Sequence, residues 1–416
     1  MPKDKIITGI DIGSTKISTL VASVSENKIS VIGVSGDVQS RGINKGNVVD
    51  IDSAVEAISN SLERAERMAG VSVSRAFVTI NGSHIETQNS HGVVAVSPHQ
   101  TSEIVPEDVS RVIEAAQAIS LPSTREVVHV IPRDFVVDSQ DGIKDPVGMS
   151  GVRLEVETDI IHGSSTAIKN LIRCVSQVGV EVEELVYTGV ASAEAVLTDT
   201  EKELGTLLVD VGGGTTSMIA FLEGSPIHSA VLPIGGRLVT SDLAIGLRTR
   251  LEDAEKIKIK LSREYFSAKG KEGKDQMFDV SEFGLDTEDV PMSLLYKIID
   301  ARSEEIFRLV ALEIAKAGLT GKLPAGVVIT GGAALTPGIE RVAKVTLKVP
   351  TRVGTPKGVT GLVDDIQGPS ASSGIGTLLY GAALLRSGAH LPFDDRRGKM
   401  NKNFSKIFEK LKSFLP

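Results

Sequence analysis

Two turns of the same design, about 200 residues apart, constrain this 416-residue chain more than any other feature. Each turn lies between apolar, β-branched runs. The first contains Asp11, Gly13, Ser14, Thr15 and Lys16, and the second contains Asp210, Gly212, Gly213, Gly214, Thr215 and Thr216. One such turn is an ordinary hairpin, but two of them, one opening each half of the chain, indicate two related lobes that clasp a phosphate chain.

The residue types in these two turns suit a bound phosphate. An aspartate at the end of a strand can hold a hydrated divalent cation, so Asp11 and Asp210 are candidate metal-binding residues. Glycine permits a tight turn and lets the backbone approach a ligand closely. Serine and threonine hydroxyls, together with backbone N–H groups, can point at phosphate oxygens.

A third glycine turn follows another apolar strand near residue 330. It contains Gly331, Gly332 and Ala333 and precedes a helical pattern. Backbone without side chains accommodates a flat purine and its sugar, although the turn alone could be a plain strand-to-helix connector. The sequence lacks the P-loop, the Gly-x-Gly-x-x-Gly fingerprint, the Gly-x-Ser-x-Gly elbow and the His-Glu-x-x-His motif, which disfavours the enzyme classes that use them.

Composition excludes several further classes. With a single cysteine, Cys174, the chain has no disulfide framework, and a reducing cytoplasm is expected. The net charge of −8 argues against a general nucleic-acid binder. The start has no long apolar stretch, and no run of about 18 apolar residues occurs anywhere, so we expect a protein that is neither secreted nor membrane-spanning.

The order of strand and helix patterns predicts an α/β protein with two lobes and an inserted α+β subdomain. One long helix is expected over 236–261. The predicted units are 1–82 with 167–194 for the first lobe, 83–166 for the inserted subdomain, 195–235 with 326–386 for the core of the second lobe, 236–325 for its helical and β subdomain, 387–400 for a linker, and 401–416 for an amphipathic helix.

The C-terminal segment differs in charge from the rest of the chain. Residues 387–416 carry a net charge of +4 and the body before them −12. On a helix, the apolar residues there fall within about 120° of arc, with lysines on the other side. The apolar residues are Phe404, Ile407, Phe408, Leu411, Phe414 and Leu415, and the lysines are Lys402, Lys406 and Lys410. This pattern indicates a helix that lies on an anionic membrane, the alternative being a terminal helix docked on the acidic body.

The three glycine turns, in this order, resemble those of the actin, Hsp70 and sugar-kinase superfamily. Residues 89–94, 145–155 and 191–198 resemble, more narrowly, the FtsA family of actin-like bacterial cell-division proteins, and that resemblance covers essentially the whole chain. It implies a two-lobed actin-like (ribonuclease H-like) ATPase fold.

The resemblance also implies ATP or ADP with Mg²⁺ between the lobes. Asp11 and Asp210 would lie near the metal, and the other residues of the first two turns would surround the phosphates. Glu194 would orient the attacking water. The candidate catalytic residues are therefore Glu194 and Asp210. Glu255 and Lys258 would contact ribose and adenine, although on a plain amphipathic helix they would simply be solvated.

The partners implied by the resemblance are the C-terminal peptide of the tubulin-like GTPase FtsZ, further copies of the chain in a filament, and later division proteins recruited by the inserted subdomain. Arg302 and Glu305 are the candidates for the FtsZ contact, although pairing along a helix would explain them equally well. The expected location is the inner face of the membrane at the division site. We expect any ATPase activity to be slow, because no basic residue is identifiable as a transition-state clamp.

Three alternatives remain at this point. A small-molecule kinase of the same superfamily would need a substrate base near Asp210 and gives no reason for the basic tail. An Hsp70-like ATPase would continue into a peptide-binding β-domain. The inserted subdomain and the C-terminal helix distinguish the chain from another actin-like filament protein such as MreB.

Overall fold

The computed structural model describes residues 5–26, 28–96, 103–118, 121–267, 276–285, 288–362 and 366–386. The strands are β1 Lys5–Ile12, β2 Lys16–Val24, β3 Ile29–Val34, β4 Val38–Gln39, β5 Ile43–Asn44, β6 Asn47–Val48, β7 Arg75–Ile80, β8 Glu86–Ala95, β9 Arg125–Val137, β10 Gln140–Ile143, β11 Arg153–Ser164, β12 Glu181–Tyr187, β13 Thr206–Val211, β14 Thr216–Leu222, β15 Ser225–Leu232, β16 Met277–Asp279, β17 Asp289–Pro291, β18 Gly326–Thr330, β19 Thr351–Val353 and β20 Thr360–Gly361. The helices are α1 Ile51–Ala69, α2 Pro106–Gln117, α3 Ser165–Gln177, α4 Thr188–Val196, α5 Asp199–Leu204, α6 Arg237–Leu247, α7 Leu251–Ser267, α8 Met292–Lys316, α9 Ile339–Leu347 and α10 Ser372–Arg386.

The C-terminal segment is not part of this description. The predicted linker at 387–400 and the predicted amphipathic helix at 401–416 both lie outside the described residues. Among the described residues, no helix has both the length and the apolar character needed to cross a bilayer.

The two lobes repeat one sheet topology. In the first lobe the antiparallel strands β1, β2 and β3 continue into β7 and β12, which run parallel to β1. In the second lobe β13, β14 and β15 are followed in the same way by β18 and β19. Asp11 lies opposite Ser18 in the first hairpin, and Asp210 lies opposite Ser217 in the second. The predicted pair of related α/β lobes is confirmed.

Helices α4 and α10 pack against each other between the sheets. Gly376 of α10 makes the close crossing possible, because a Cβ there would lie 1.7 Å from the carbonyl oxygen of Ala191 in α4. The other side of α10 covers β1, β2 and β7, where Ile375 and Leu378 are buried in the core of the first lobe.

The position of α10 corrects the predicted boundary of the second lobe at residues 326–386. Helix α10 packs on the first lobe, and strand β20 adds to the sheet of the first lobe beside β3. Local pattern carries no information about which lobe an apolar helix covers, and the chain crosses back before it ends. The second-lobe core is therefore shorter than predicted.

The inserted subdomain has its own sheet and its own core. Strands β10, β9, β11 and β8 form an antiparallel sheet in that order, and α2 packs on β8 and β11. Val109 and Val112 of α2 are buried against Phe135 and Val156 of the sheet. All these elements lie within the predicted bounds 83–166, so the unit is an α+β insertion as expected.

The inserted subdomain contacts both lobes where β12 ends. Tyr187 donates its N–H to His129 Nε2 of the subdomain at 2.9 Å. Its hydroxyl donates to the carbonyl oxygens of Met218 and Ala230 in the second lobe at 3.1 and 3.0 Å. Thr87 of the subdomain also donates to the carbonyl oxygen of Ser229 at 2.9 Å. These contacts join three units of the molecule at one buried tyrosine.

The predicted single helix over 236–261 is wrong, because it is divided into α6 and α7. Arg248 takes a left-handed conformation with φ of 53°, and its N–H bonds back to the carbonyls of Ala244 and Ile245, which ends α6. The apolar spacing continues through this break, so periodicity alone could not reveal it. The break turns α7 back along α6, and together with α8 they bury a separate core.

We predict a pH-dependent stability that originates at Asp159 on β11. Its side chain is buried, and neither carboxylate oxygen has a hydrogen-bond partner among the described residues. Burial raises the pKa of Asp159 from 3.8 to about 7, although the charge of Arg133 acts against it. The raised pKa belongs to the folded state, so this stabilising contribution is present below pH 4 and is lost as the pH rises through 7.

The measurement is chemical unfolding at pH 5 and pH 8. The free energy of unfolding of Asp159→Asn, relative to that of the unaltered chain, should be larger at pH 8 than at pH 5 by on the order of 2 kcal/mol. Asp141→Asn, at an exposed position on β10, is the matched control and should show no such difference. Equal effects of Asp159→Asn at both pH values would contradict the prediction.

Candidate functional site

The first turn holds Asp11 between two hydroxyls. Asp11 lies at the end of β1 and is 9% exposed. Thr79 of β7 donates to its Oδ1 at 2.9 Å, and Ser373 at the start of α10 donates to its Oδ2 at 2.7 Å. The turn itself is closed by the N–H of Gly13, which donates to the carbonyl oxygen of Lys16 at 3.0 Å. The carboxylate is thus fixed by two elements distant in sequence.

The second turn has the same internal closure. The N–H of Gly212 donates to the carbonyl oxygen of Thr215 at 2.9 Å. Asp210 is 6% exposed, and Ser192 of α4 donates to its Oδ2 at 2.5 Å. The pKa of Asp210 is raised to about 7, mainly by burial and also by the charge of Asp11, while the hydrogen bond from Ser192 and the charge of Lys16 act in the opposite direction. The two aspartates are therefore close enough to interact unfavourably.

This pair of carboxylates fits a Mg²⁺ ion. A cation between Asp11 and Asp210 would relieve both the burial and the like-charge repulsion that the pKa of Asp210 records. Among the described residues, no cluster of three or more acidic, histidine or cysteine side chains forms a fully protein-made metal site. Mg²⁺ commonly uses one or two carboxylates and completes its shell with water and phosphate oxygens, so two aspartates suffice.

The two turns meet face to face across the lobes. A Cβ built on Gly213 would lie 1.6 Å from Thr15 Oγ1, and one built on Gly214 would lie 2.8 Å from Ser14 Oγ. Ser14 Oγ in turn accepts the N–H of Gly46 at 2.9 Å. Any side chain at either glycine would therefore force the lobes apart.

The third turn lies directly against the second. Gly331 has φ of 88°, and a Cβ there would lie 2.3 Å from Asp210 Oδ1. Ala333 fills the space beside Gly236, where an added Cβ would be 2.7 Å from its own Cβ. Gly332 is open, with only Ser370 Cβ within 4 Å of its added Cβ. The structure thus brings all three sequence-predicted turns together at the carboxyl ends of β1, β13 and β18.

Glu255 and Lys258 form a polar cluster beside these turns. Lys258 Nζ donates to Glu255 Oε2 at 2.7 Å and to Thr240 Oγ1 at 2.8 Å, and Thr240 also donates to Glu255. Thr240 lies on α6 one turn after Gly236, to whose carbonyl oxygen its N–H donates. The break between α6 and α7 is what brings the two predicted residues to this position.

Glu194 of α4 forms an ion pair with a lysine of the next helix. Lys202 of α5 donates to its Oε1 at 2.8 Å. The α4 residue that contacts Asp210 is Ser192, and residues two apart on a helix point about 200° away from each other. These contacts give no support to a water-orienting role for Glu194, which stays a prediction. Lys16 is likewise engaged, because its Nζ donates to Asp37 Oδ1 at 2.8 Å.

Arg302 and Glu305 lie on α8, outside the cleft. Arg302 forms a bidentate ion pair with Asp242 of α6, with distances of 2.6 and 2.9 Å, and it also pairs with Glu305. The hydrogen bond to Asp242 raises the pKa of Arg302. Asp242 follows Thr240 by two positions, so Arg302 contacts the side of α6 away from the Glu255 cluster.

Several residues of the site escaped the sequence analysis. Thr79, Ser192 and Ser373 support the aspartates, but each lies on an element distant in sequence from the aspartate it contacts, and no local signal marks that contact. The pair Gly235 and Gly236 could have been found as a fourth glycine turn before a helix. Their backbone packs on the second turn, with the N–H of Gly236 donating to the carbonyl oxygen of Gly212 at 2.9 Å.

Solved structures share this architecture at low sequence identity. A chain of a PilM–PilN type IV pilus biogenesis complex matches 90% of this chain and 98% of its own, with a TM-score of 0.61 and 16% identity. MreB5 of Spiroplasma citri bound to ADP matches 93% and 99%, with a TM-score of 0.54 and 12% identity. The fold is therefore the two-lobed actin-like ATPase fold, with a subdomain inserted in the first lobe.

Sequence comparisons identify the family. Residues 82–162 match the family model described as the SHS2 domain inserted in FtsA, and residues 207–376 match the model of cell division protein FtsA. Cell division protein FtsA of Pseudomonas aeruginosa is 38% identical over 99% of this chain and 97% of its own length. That of Borreliella burgdorferi is 41% identical over 90% of each chain. This chain belongs to the FtsA family of actin-like cell-division proteins.

Proposed function

We propose that this protein binds ATP or ADP with Mg²⁺ between its lobes, assembles into filaments on the inner face of the cytoplasmic membrane, and tethers FtsZ there at the division site. The observation that carries the proposal is the meeting of two equivalent turns over the buried pair Asp11 and Asp210. The cation that accompanies a bound phosphate chain supplies the positive charge that this pair of carboxylates lacks.

The nucleotide site follows from the geometry of the three turns. The hydroxyls of Ser14 and Thr15 and the backbone around Gly213 and Gly214 would surround the phosphates. Bound Mg²⁺ would neutralise phosphate charge and fix the phosphate oxygens relative to Asp11 and Asp210. The base and sugar would lie along the third turn beside Glu255 and Lys258, as the resemblance implies. The MreB5 structures of the same fold were solved with ADP and with AMPPNP.

The same geometry supports binding better than rapid turnover. Carboxylates engage two lysines near the turns, with Asp37 pairing with Lys16 and Glu255 pairing with Lys258. Neither is therefore free to stabilise charge on a transferred phosphoryl group. We propose a slow ATPase or none, and a nucleotide that acts through closure of the lobes.

Asp210→Asn should abolish the dependence of nucleotide affinity on Mg²⁺. The amide keeps the size of the side chain and can still accept from Ser192, but it removes the negative charge that would bind the cation. Calorimetric titration with ATP, in Mg²⁺ and in EDTA, should give an affinity ratio of about tenfold for the unaltered chain and near one for the variant. Asp141→Asn should behave like the unaltered chain. An ATP affinity that is independent of Mg²⁺ in the unaltered chain would contradict the metal assignment.

Membrane attachment rests on the sequence of residues 401–416. Each lysine near an anionic leaflet contributes on the order of 1 kcal/mol, and insertion of the apolar side chains adds to this. One such helix binds reversibly, so assembly into filaments would strengthen attachment by linking many weak anchors. The kinase alternative offers no role for this segment.

Flotation with anionic vesicles and ATP tests the attachment. The full chain should float and carry FtsZ with it, whereas a truncation after Arg386 and the variant Phe408→Glu should remain at the bottom. Phe408→Leu keeps an apolar side chain on the same face and should float. If the full chain stays at the bottom while the vesicles float, the terminal helix is docked on the body instead.

The FtsZ contact is proposed for the surface of α8. Glu305 is about half exposed, and Arg302 offers a cation at the same surface, although Asp242 already pairs with it. A peptide carrying carboxylates could compete for this guanidinium. Self-association and recruitment of later division proteins are proposed for the inserted subdomain, which has a core of its own.

A matched pair of variants separates a peptide contact from a structural role of Arg302. Arg302 and Arg341 each contact both oxygens of a carboxylate and thereby join α8 to a neighbouring helix, Arg341 through its Nη2 to Asp300 at 3.0 and 2.9 Å. Arg302→Ala should weaken binding of the FtsZ C-terminal peptide about tenfold in a fluorescence titration, and Arg341→Ala should not. Equal losses would show that α8 is merely displaced in both.

A further inference from the structure

Asn81 connects the first lobe to the second phosphate turn. It follows β7 immediately, where the chain leaves the first lobe for the inserted subdomain. Its Nδ2 donates to Thr215 Oγ1 at 3.0 Å, and its Oδ1 accepts from Ser217 Oγ at 3.0 Å. Thr215 closes the second turn, and Ser217 lies opposite Asp210 across the hairpin. One carboxamide of the first lobe therefore bonds to the end of the second turn and to the strand that follows it.

The orientation of this carboxamide is fixed by chemistry. Its Oδ1 also accepts the backbone N–H of Gly82 at 2.8 Å. A backbone N–H can only donate, so the atom it meets must be the oxygen of the amide. The other amide atom is then the NH₂ group, which can only donate. Thr215 Oγ1 is consequently the acceptor of the bond that joins it to Asn81.

This direction leaves the hydroxyl hydrogen of Thr215 available. Thr215 is 4% exposed, and none of the described residues offers an acceptor for that hydrogen. The hydroxyl lies at the rim of the turn, 3.8 Å from where a Cβ on Gly212 would stand. A buried donor without an acceptor is costly, and a phosphate oxygen in the cleft is an acceptor of the required charge.

We propose that Asn81 is a positioning residue, which holds the hydroxyl of Thr215 as a hydrogen-bond donor to a nucleotide phosphate. The assignment rests on the nucleotide binding proposed above. Because Asn81 belongs to the first lobe and Thr215 to the second, this donor is oriented only while the lobes are closed. Phosphate binding and lobe closure thereby favour each other through one side chain.

A double-mutant cycle in the full chain tests the assignment, with Mg²⁺–ATP as the ligand and calorimetry as the measurement. Asn81→Ala and Thr215→Val should each weaken ATP binding about tenfold, and the double variant should bind no more weakly than Thr215→Val alone. Such non-additivity is expected because Asn81 acts through Thr215. Thr87→Val removes a hydrogen bond between the inserted subdomain and the second lobe that does not involve the second turn, and it should leave ATP affinity unchanged.

The loss of ATP affinity in the double variant distinguishes positioning from a structural role. If Asn81 only tied the lobes together, the losses of affinity would multiply to about a hundredfold in the double variant, and that result would overturn the assignment. Unchanged affinity in Asn81→Ala would also overturn it. Failure of the unaltered chain to bind ATP would instead overturn the proposed function, and the assignment with it.

A second variant covers the case in which Asn81→Ala does not fold. Asn81→Asp keeps the volume and the acceptor for Gly82 and Ser217, but it has no donor, so the hydroxyl of Thr215 must turn toward it. ATP affinity should fall at least as far as in Thr215→Val, and the loss should shrink when Thr215→Val is already present. An affinity equal to that of the unaltered chain would contradict the proposal.

Discussion

Two buried carboxylates of like charge, Asp11 and Asp210, set the conditions that the rest of this structure satisfies. Each stands at the end of the first strand of its lobe, and the two are close enough for one to raise the pKa of the other. Buried ionised groups are tolerated only when hydrogen bonds or an opposite charge compensate them. The hydroxyls of Thr79, Ser373 and Ser192 supply part of that compensation. A cation bound together with phosphates would provide the remaining compensation of the negative charge.

The close approach of the lobes depends on residues without side chains. Gly213 and Gly214 let the second turn touch the first, and Gly331 lets the third turn touch Asp210. Gly376 lets α10 cross α4 between the sheets. Gly213 and Gly214 occupy the surface where the lobes meet, so the glycine backbone of the second turn lies directly against the side chains of Thr15 and Ser14. A ligand inserted there would change the separation of the lobes directly, which would be the physical basis for the proposed coupling of nucleotide state to assembly.

The inserted subdomain is joined to this cleft at two neighbouring points. Asn81, at its entry, bonds to the second turn, and Tyr187, after its exit, bonds to the strand that follows this turn and to His129 of the subdomain. A displacement of the second turn would therefore reach both connections of the subdomain. This arrangement gives the insertion a route to the nucleotide site even though its own core is separate.

The sequence by itself determined the two equivalent turns, the third turn and the inserted unit, because each is a local pattern of residue types with a direct physical meaning. The family followed from the resemblance of three segments to known proteins. The roles of Glu255 and Lys258 came only from the family resemblance and remain a prediction. Only the tertiary structure decided that α10 covers the first lobe, that the helix expected over 236–261 breaks at Arg248, and that Ser192 rather than Glu194 contacts Asp210. Those facts depend on contacts between residues far apart in the chain, or on one backbone angle, and periodicity and composition carry no record of either.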